Sequence, residues 1–191
     1  MDINPLYTKK EFLEKINKVF HSSDWLPSAK IKQFFIPSFY RKLKNIISRI
    51  NYRPIKKQMH YQYSKALMTK GLNGVFNSEE FLDFVSRIIN SKVKAINGEI
   101  RRFTWEDHTL LHDKDGEKPG FDIIFEFTEN WQGSYGGYTV YTDGQGNSSI
   151  IYPEPNTLLI VKRKKGVQKF VKYLNYKSEN KYRYAFFANI E

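Results

Sequence analysis

Cysteine is absent from this 191-residue chain, and that one absence excludes disulfides, thiolate metal sites, zinc ribbons and a thiol nucleophile. No apolar run approaches the roughly 20 residues that a membrane-spanning helix needs. The polar start Met-Asp-Ile-Asn-Pro lacks the basic-then-apolar order of a signal peptide, so the expected location is cytoplasmic. Histidine is scarce: there are 4, and the last of them is His112. The sequence carries no Ser/His/Asp arrangement, phosphate-binding loop or dinucleotide glycine fingerprint. Between Asp24 and Glu79 there is no acidic residue at all.

What is present is aromatic and basic. Aromatic residues make up 16% of the chain and the mean hydropathy is -0.59, the profile of a soluble protein with an aromatic-rich core. At 22.7 kDa the default is one main domain with a helical appendage. Residues 1–60 hold 13 Lys/Arg against 4 Asp/Glu, which is +9 of the chain's net +11. Such a field attracts phosphate or an acidic partner, although a charge run is more often a solvated face.

Periodicity divides the chain. Apolar residues at Phe12, Leu13, Ile16, Val19 and Phe20 have helical spacing, with Thr8 as the expected N-cap. A second helix over 38–50 sets Phe39, Leu43, Ile46, Ile47 and Ile50 against a basic side that includes Arg41, Lys42, Lys44 and Arg49. Residues 51–73 stay unassigned, because Tyr61, Tyr63 and Leu67 suit either a strand or an irregular connection. A third helix over 78–91 buries Phe81, Leu82, Phe84, Val85, Ile88 and Ile89, and Asn77 is its expected cap. Beyond it the period falls to two, predicting strands near 99–104, 108–112, 121–127, 138–142, 148–152, 157–163, 168–175 and 182–189. Turn signals at Pro119-Gly120, Gly136-Gly137, Asp143 to Asn147 and Pro153-Glu-Pro155 separate them. The expected fold is α+β: a double-stranded β-helix, or jelly roll, of about eight strands buttressed by N-terminal helices. Residues 1–74 form a basic, largely helical region packing on the core, and 75–191 form the jelly roll.

The order of motifs after Phe121 carries a resemblance. The run Phe121-Asp-Ile-Ile-Phe-Glu-Phe127 is followed by Trp131, by Gly136-Gly137, by Pro153 with Asn156, Leu158 and an aliphatic run to Val161, and by Arg183. This series resembles the iron- and 2-oxoglutarate-dependent dioxygenases of the prolyl 4-hydroxylase type, in the branch of the ribosomal-protein prolyl hydroxylases. The resemblance covers residues 75–189 and implies Fe(II) and 2-oxoglutarate as cofactors, with a protein substrate. It places Arg183 where the family clamps the cosubstrate carboxylate, a task suited to a planar, bidentate guanidinium. The family's His-x-Asp metal pair falls on His112-Asp113-Lys114-Asp115. Strand alternation separates His112 from both aspartates, whereas a turn or bulge at Lys114 brings His112 and Asp115 together. The family's distal histidine falls on Lys169, and an ammonium is a poor iron ligand. Ala185 stands where many relatives have a hydroxyl.

Each residue also has a purely structural reading: His112 as a half-buried strand histidine, Asp113 and Asp115 as turn formers, Arg183 in strand pairing, Trp131 and the glycines as scaffold. Two functions follow. One is a dioxygenase-like protein hydroxylating a protein residue, with His112, Asp113 or Asp115 on iron and Arg183 and Lys169 on the cosubstrate; the missing distal histidine counts against activity. The other is a non-catalytic jelly roll that binds nucleic acid or an acidic partner through Arg41, Lys42, Lys44, Arg49 and Arg53. In that second reading Phe34, Phe35, Phe39, Tyr40, Tyr52 and Tyr61 supply stacking, and acids from Glu106 to Glu129 make the opposite end negative.

Overall fold

The computed structural model describes residues 2–57, 60–110 and 119–190. Eleven strands and four α-helices occur among them, in the order α1 (Lys10–Phe20), β1 (Ser28–Ile31), α2 (Pro37–Arg49), β2 (Arg53–Lys57), β3 (Tyr61–Leu67), α3 (Lys70–Phe76), α4 (Glu79–Ile89), β4 (Gly98–Phe103), β5 (His108–Thr109), β6 (Gly120–Glu126), β7 (Thr139–Thr142), β8 (Ser148–Ile151), β9 (Thr157–Arg163), β10 (Gln168–Val171) and β11 (Arg183–Ile190). The eight strands expected after the third helix are β4 to β11. They form an antiparallel jelly roll: the large sheet runs β1-β9-β6-β11-β4-β3-β2, with β5 paired to β3, and faces a small sheet β10-β7-β8.

Strand parity assigns the two faces of the large sheet. Ile123, Phe125, Leu158, Ile160, Phe186 and Ala188 point to the helices and join Phe34, Phe76, Phe81 and Ile88 in one core. Their neighbours Ile124, Leu159, Val161, Ala185 and Phe187 point the other way and meet Tyr141, Val171 and Leu174 between the sheets. A sheet buried on both faces needs such continuous apolar strands. Phe76 stacks on Phe186 at 4.1 Å between ring centroids, and Phe125 lies within 5.1 Å of Phe35 and 4.8 Å of Phe127. Each ring so buried contributes about 1.5–3 kcal/mol.

Three strands join the sheet from the N-terminal region. β1 pairs with β9, and β2 and β3 extend the sheet beyond β4. A short helix, α3, is also new; Thr69 caps it by accepting from the Leu72 N–H. The helix caps differ from expectation. Lys9, without a side-chain bond, precedes α1, because the Thr8 hydroxyl donates to the Pro5 carbonyl instead. Ser78 rather than Asn77 caps α4; the Asn77 side chain bonds the Ile96 backbone through both N–H and C=O.

Asn156 ties the N-terminal region to the jelly roll. It adopts φ +51°, a left-handed conformation that asparagine tolerates. Its side chain accepts from the Phe35 N–H at 3.0 Å and donates to the Phe35 carbonyl at 2.7 Å, while its carbonyl accepts from the Phe34 N–H. Among the described residues no helix is long and apolar enough to cross a membrane.

Candidate functional site

Within the space between the sheets, β6 carries two acids in an otherwise apolar run. Asp122 and Glu126 share parity with Ile124, so both project inward, and an inward carboxylate requires partners. Each has them.

Asp122 is fully buried. Its two oxygens accept from Arg163 Nε at 3.2 Å, Lys169 Nζ at 3.1 Å, Asn189 Nδ2 at 3.1 Å and the Tyr141 hydroxyl at 3.1 Å. Burial works to raise its pKa, but Lys169 and Arg163, with the Asn189 amide, outweigh burial and hold the carboxyl below its usual value. Lys169 reaches this position because β10 pairs with β7 in the register Lys169↔Tyr141.

Glu126 takes Arg183. The two lie on paired strands, Ala185 being opposite Glu126, so Arg183 two residues earlier projects from the same face. The Arg183 guanidinium donates to both Glu126 oxygens, one of these contacts being Nε at 3.3 Å. It also donates to the Gly137 carbonyl at 2.7 Å and to Thr139 Oγ1 at 3.1 Å. Phe103 and Phe187 flank it at 5.7 and 5.6 Å, and only 1% of Arg183 is exposed.

The glycine pair serves this arrangement. Gly136 and Gly137 have φ +78° and +66°. A Cβ on Gly136 would lie 2.1 Å from the Tyr173 carbonyl oxygen, and one on Gly137 2.9 Å from the Trp131 ring. The backbone therefore approaches the Tyr173–Leu174 chain closely, and Trp131 Nε1 donates to the Gly136 carbonyl at 2.9 Å.

A cleft of about 490 Å³ borders the Asp122 cluster, lined in part by Glu99, Arg101, Arg163, Lys169 and Phe187. Glu99 bonds Arg101 at 2.8 Å and Lys65 at 3.0 Å. Burial opposes its charge, but Arg101 and Lys65 prevail and lower its pKa.

The structure thus brings Arg183 and Lys169 into one interior and gives each a carboxylate partner. His112, Asp113 and Asp115 lie outside the described residues. Among the described residues no group of three His, Cys, Asp or Glu side chains converges to hold a metal. The described residues do not fit 2-oxoglutarate either, since the guanidinium expected to clamp it is already engaged by Glu126, Gly137 and Thr139.

On α2 and β2, Arg41, Lys42, Arg49 and Arg53 are exposed, and Lys44 is paired with Glu129. The aromatics expected to interleave with them are elsewhere: Phe34, Phe35, Tyr40 and Tyr52 are buried in the core. Of the acids expected at the opposite end, Asp107, Asp122 and Glu126 are buried and bonded internally, Glu106 and Glu129 are exposed, and Asp113, Asp115 and Glu117 lie outside the described residues. Burial raises the Asp107 pKa.

Sequence reading missed Asp122, Glu126, Arg163, Tyr141 and Asn189. The signal was available: two acids four apart, with the parity of Ile124, in an apolar strand.

The two facing antiparallel sheets define a double-stranded β-helix. The family described as "Oxoglutarate and iron-dependent oxygenase degradation C-term" matches residues 50–191, and this chain belongs to that family. Among curated relatives, prolyl 3-hydroxylase OGFOD1 of Xenopus laevis is 33% identical over 97 residues, 48% of this chain and 19% of the relative. Its Mus musculus counterpart is 34% identical over 91 residues, 46% and 17%. The chain thus spans less than a fifth of the length of these relatives through the matched residues.

Solved structures share the fold at low identity. A 2OG-Fe(II) oxygenase family oxidoreductase of Burkholderia pseudomallei has TM-score 0.70 at 8% identity, covering 95% of this chain and 91% of that one. A Pseudomonas putida prolyl-4-hydroxylase has TM-score 0.69 at 10% identity, covering 94% and 99%. A Trichoplax adhaerens prolyl hydroxylase, in complex with a hypoxia inducible factor peptide fragment, has TM-score 0.69 at 13% identity, covering 96% and 94%.

Proposed function

We propose that this chain serves protein prolyl hydroxylation as a jelly-roll domain that binds protein and performs no iron chemistry of its own. The observation that carries the reading is the state of Arg183. A cosubstrate clamp needs a guanidinium edge open to a carboxylate. Here both Glu126 oxygens occupy that position, and a backbone carbonyl and a hydroxyl take further N–H groups. Lys169, in the distal-histidine position, lies against Asp122. The relatives named prolyl 3-hydroxylase and the fold neighbour holding a peptide support a protein partner. A chain without cysteine suits the reducing cytoplasm, where we place it.

The test is anaerobic titration of the protein with Fe(II) and 2-oxoglutarate, read as the visible charge-transfer band and as a shift in Tm. No band and no stabilisation by 2-oxoglutarate are expected. A band that disappears in both His112→Ala and Arg183→Ala would overturn the reading. It would assign iron to His112 with Asp113 or Asp115, and the cosubstrate to Arg183 and Lys169.

A further inference from the structure

Four of the six exposed aromatic residues among the described residues lie on the segment joining β10 to β11 or on the turn bonded to it. The segment joining β10 to β11 reads Lys172-Tyr-Leu-Asn-Tyr-Lys-Ser-Glu-Asn-Lys-Tyr182. Leu174 and Ser178 are fully buried, whereas Tyr173, Tyr176 and Tyr182 are 44%, 69% and 45% exposed. Lys172, Lys177 and Lys181 are exposed between them.

This display is held in place. The Leu174 N–H donates to the Asp107 carbonyl at 3.0 Å, the Asn175 N–H to the Tyr135 carbonyl at 3.0 Å, and the Asn175 side chain accepts from the Lys177 N–H at 3.0 Å. The turn that carries Trp105, itself 42% exposed, is fastened to the same segment on both sides. The Glu106 N–H donates to the Leu174 carbonyl at 2.9 Å, and Thr104 Oγ1 donates to the Lys181 carbonyl at 3.2 Å. Trp105 therefore belongs to the tyrosine surface. Lys181 and Tyr182 also line an adjoining cleft of about 540 Å³, together with Lys44, Trp131, Tyr135 and Tyr184.

Four large rings left open to water on one ordered surface mark a place that something covers. Lys172, Lys177 and Lys181 outnumber Glu106 and Glu179, and this excess of positive charge favours an anionic partner. Rings and ammonium groups interleaved along this connecting segment match a partner that alternates flat aromatic faces with phosphates. A duplex hides its base faces within the stack, so the partner is single-stranded. We infer that this surface binds single-stranded nucleic acid, its bases stacking on Trp105, Tyr173, Tyr176 and Tyr182 and its phosphates meeting Lys172, Lys177 and Lys181. The basic face of α2 lacks the stacking half of this chemistry, because its aromatics are in the core.

The test uses the full chain and fluorescein-labelled ten-nucleotide oligo(U) and oligo(dT), read by anisotropy at 50 and 200 mM salt, with quenching of tryptophan emission as a second signal. Binding of single strands in preference to a duplex of equal length is expected, with affinity falling as salt rises. Tyr176→Ala should weaken binding by about fivefold or more. Lys177→Glu with Lys181→Glu should weaken it further and flatten the salt dependence, and Trp105→Phe should remove most of the quenching. These residues are exposed, and an unchanged Tm confirms that each variant is folded. Equal binding of oligo(U) and oligo(dT) assigns recognition to stacking and phosphate, and preference for oligo(U) adds the ribose hydroxyl; both support the inference. No binding at 50 mM salt, binding indifferent to Tyr176→Ala, or binding lost only on charge reversal at Arg41 and Lys42 would overturn it. So would capture by anionic phospholipid vesicles without capture of the oligonucleotides.

Discussion

Substituting Arg183 with alanine leaves the Glu126 carboxylate buried without its cation, and the cost follows from the contacts. Four hydrogen bonds are lost, two of them to the carboxylate and two to Gly137 and Thr139. Breaking a buried ion pair from one side costs about 3–5 kcal/mol, because the remaining charge keeps its desolvation penalty without its attraction. For a domain of this size each kcal/mol lowers Tm by about 2–4 °C, so Arg183→Ala should melt about 6–20 °C below the parent. Urea unfolding followed by circular dichroism measures the same loss as a lower midpoint with an unchanged slope. The paired replacement Arg183→Met with Glu126→Leu supplies the control: both charges go, and most of the stability should return. Arg183→Lys should fall between, keeping the charge without the fork. An Arg183→Ala protein melting within about 2 °C of the parent would refute the argument, because an arginine kept open for a cosubstrate contributes nothing to folding. So would a double replacement as unstable as the single one.

Two further perturbations probe the same interior. Asp122 has a folded pKa below its ordinary value, chiefly because Lys169 and Arg163 overcome the opposing effect of burial. The unfolded chain therefore binds the extra proton, so this stabilisation is fully present above the unfolded value of about 3.9 and is lost as pH falls through the folded one. Urea midpoints should accordingly drop on acidification below about pH 4, and Asp122→Asn should flatten that drop; equal slopes in parent and variant would refute the assignment. Gly136→Ala places a methyl 2.1 Å from the Tyr173 carbonyl oxygen, whereas Gly144→Ala, also at positive φ, has open space around it. Gly144→Ala should cost about 1–2 kcal/mol of backbone strain alone, and Gly136→Ala should cost several-fold more or yield no folded protein. Comparable melting temperatures for the two would show that the close approach at Gly136 is dispensable.

The strands legible in the sequence are β4 to β11, where turn signals bound short apolar segments; burial is nearly continuous in β6 and β9 and alternates in β8. β2 was not legible, because its side chains are mostly exposed: Arg53, Pro54, Lys56 and Lys57 belong to an outermost strand whose charges and proline discourage further pairing. β1 (Ser28–Ile31) was not legible either. β3 stayed ambiguous because Tyr61 and Tyr63 suit strand and loop alike. At the site, Arg183 and Lys169 were found by motif order, but motif order says nothing of partners. Charge alone assigns Glu126 and Asp122 to a negative end of the molecule, whereas strand parity places both with Ile124 on the face of β6 that meets the small sheet.

The partners of these buried groups are far away along the chain. Asp122 bonds residues 41, 47 and 67 positions distant, Glu126 bonds one 57 distant, and Asn156 reaches back 121 positions to Phe35. None of these bonds is available to a local hairpin, so a partly folded chain that desolvates Asp122 or Glu126 before β9 and β11 have joined β6 carries a bare charge. Partial structures are thereby raised in free energy relative to both the open chain and the closed roll. A topology of such long-range contacts is expected to fold slowly, and these ion pairs form only as its distant strands come together. Between the sheets themselves, Lys169 and Tyr141 bond Asp122 and Arg183 bonds Gly137 and Thr139, so these contacts must break before the sheets can part.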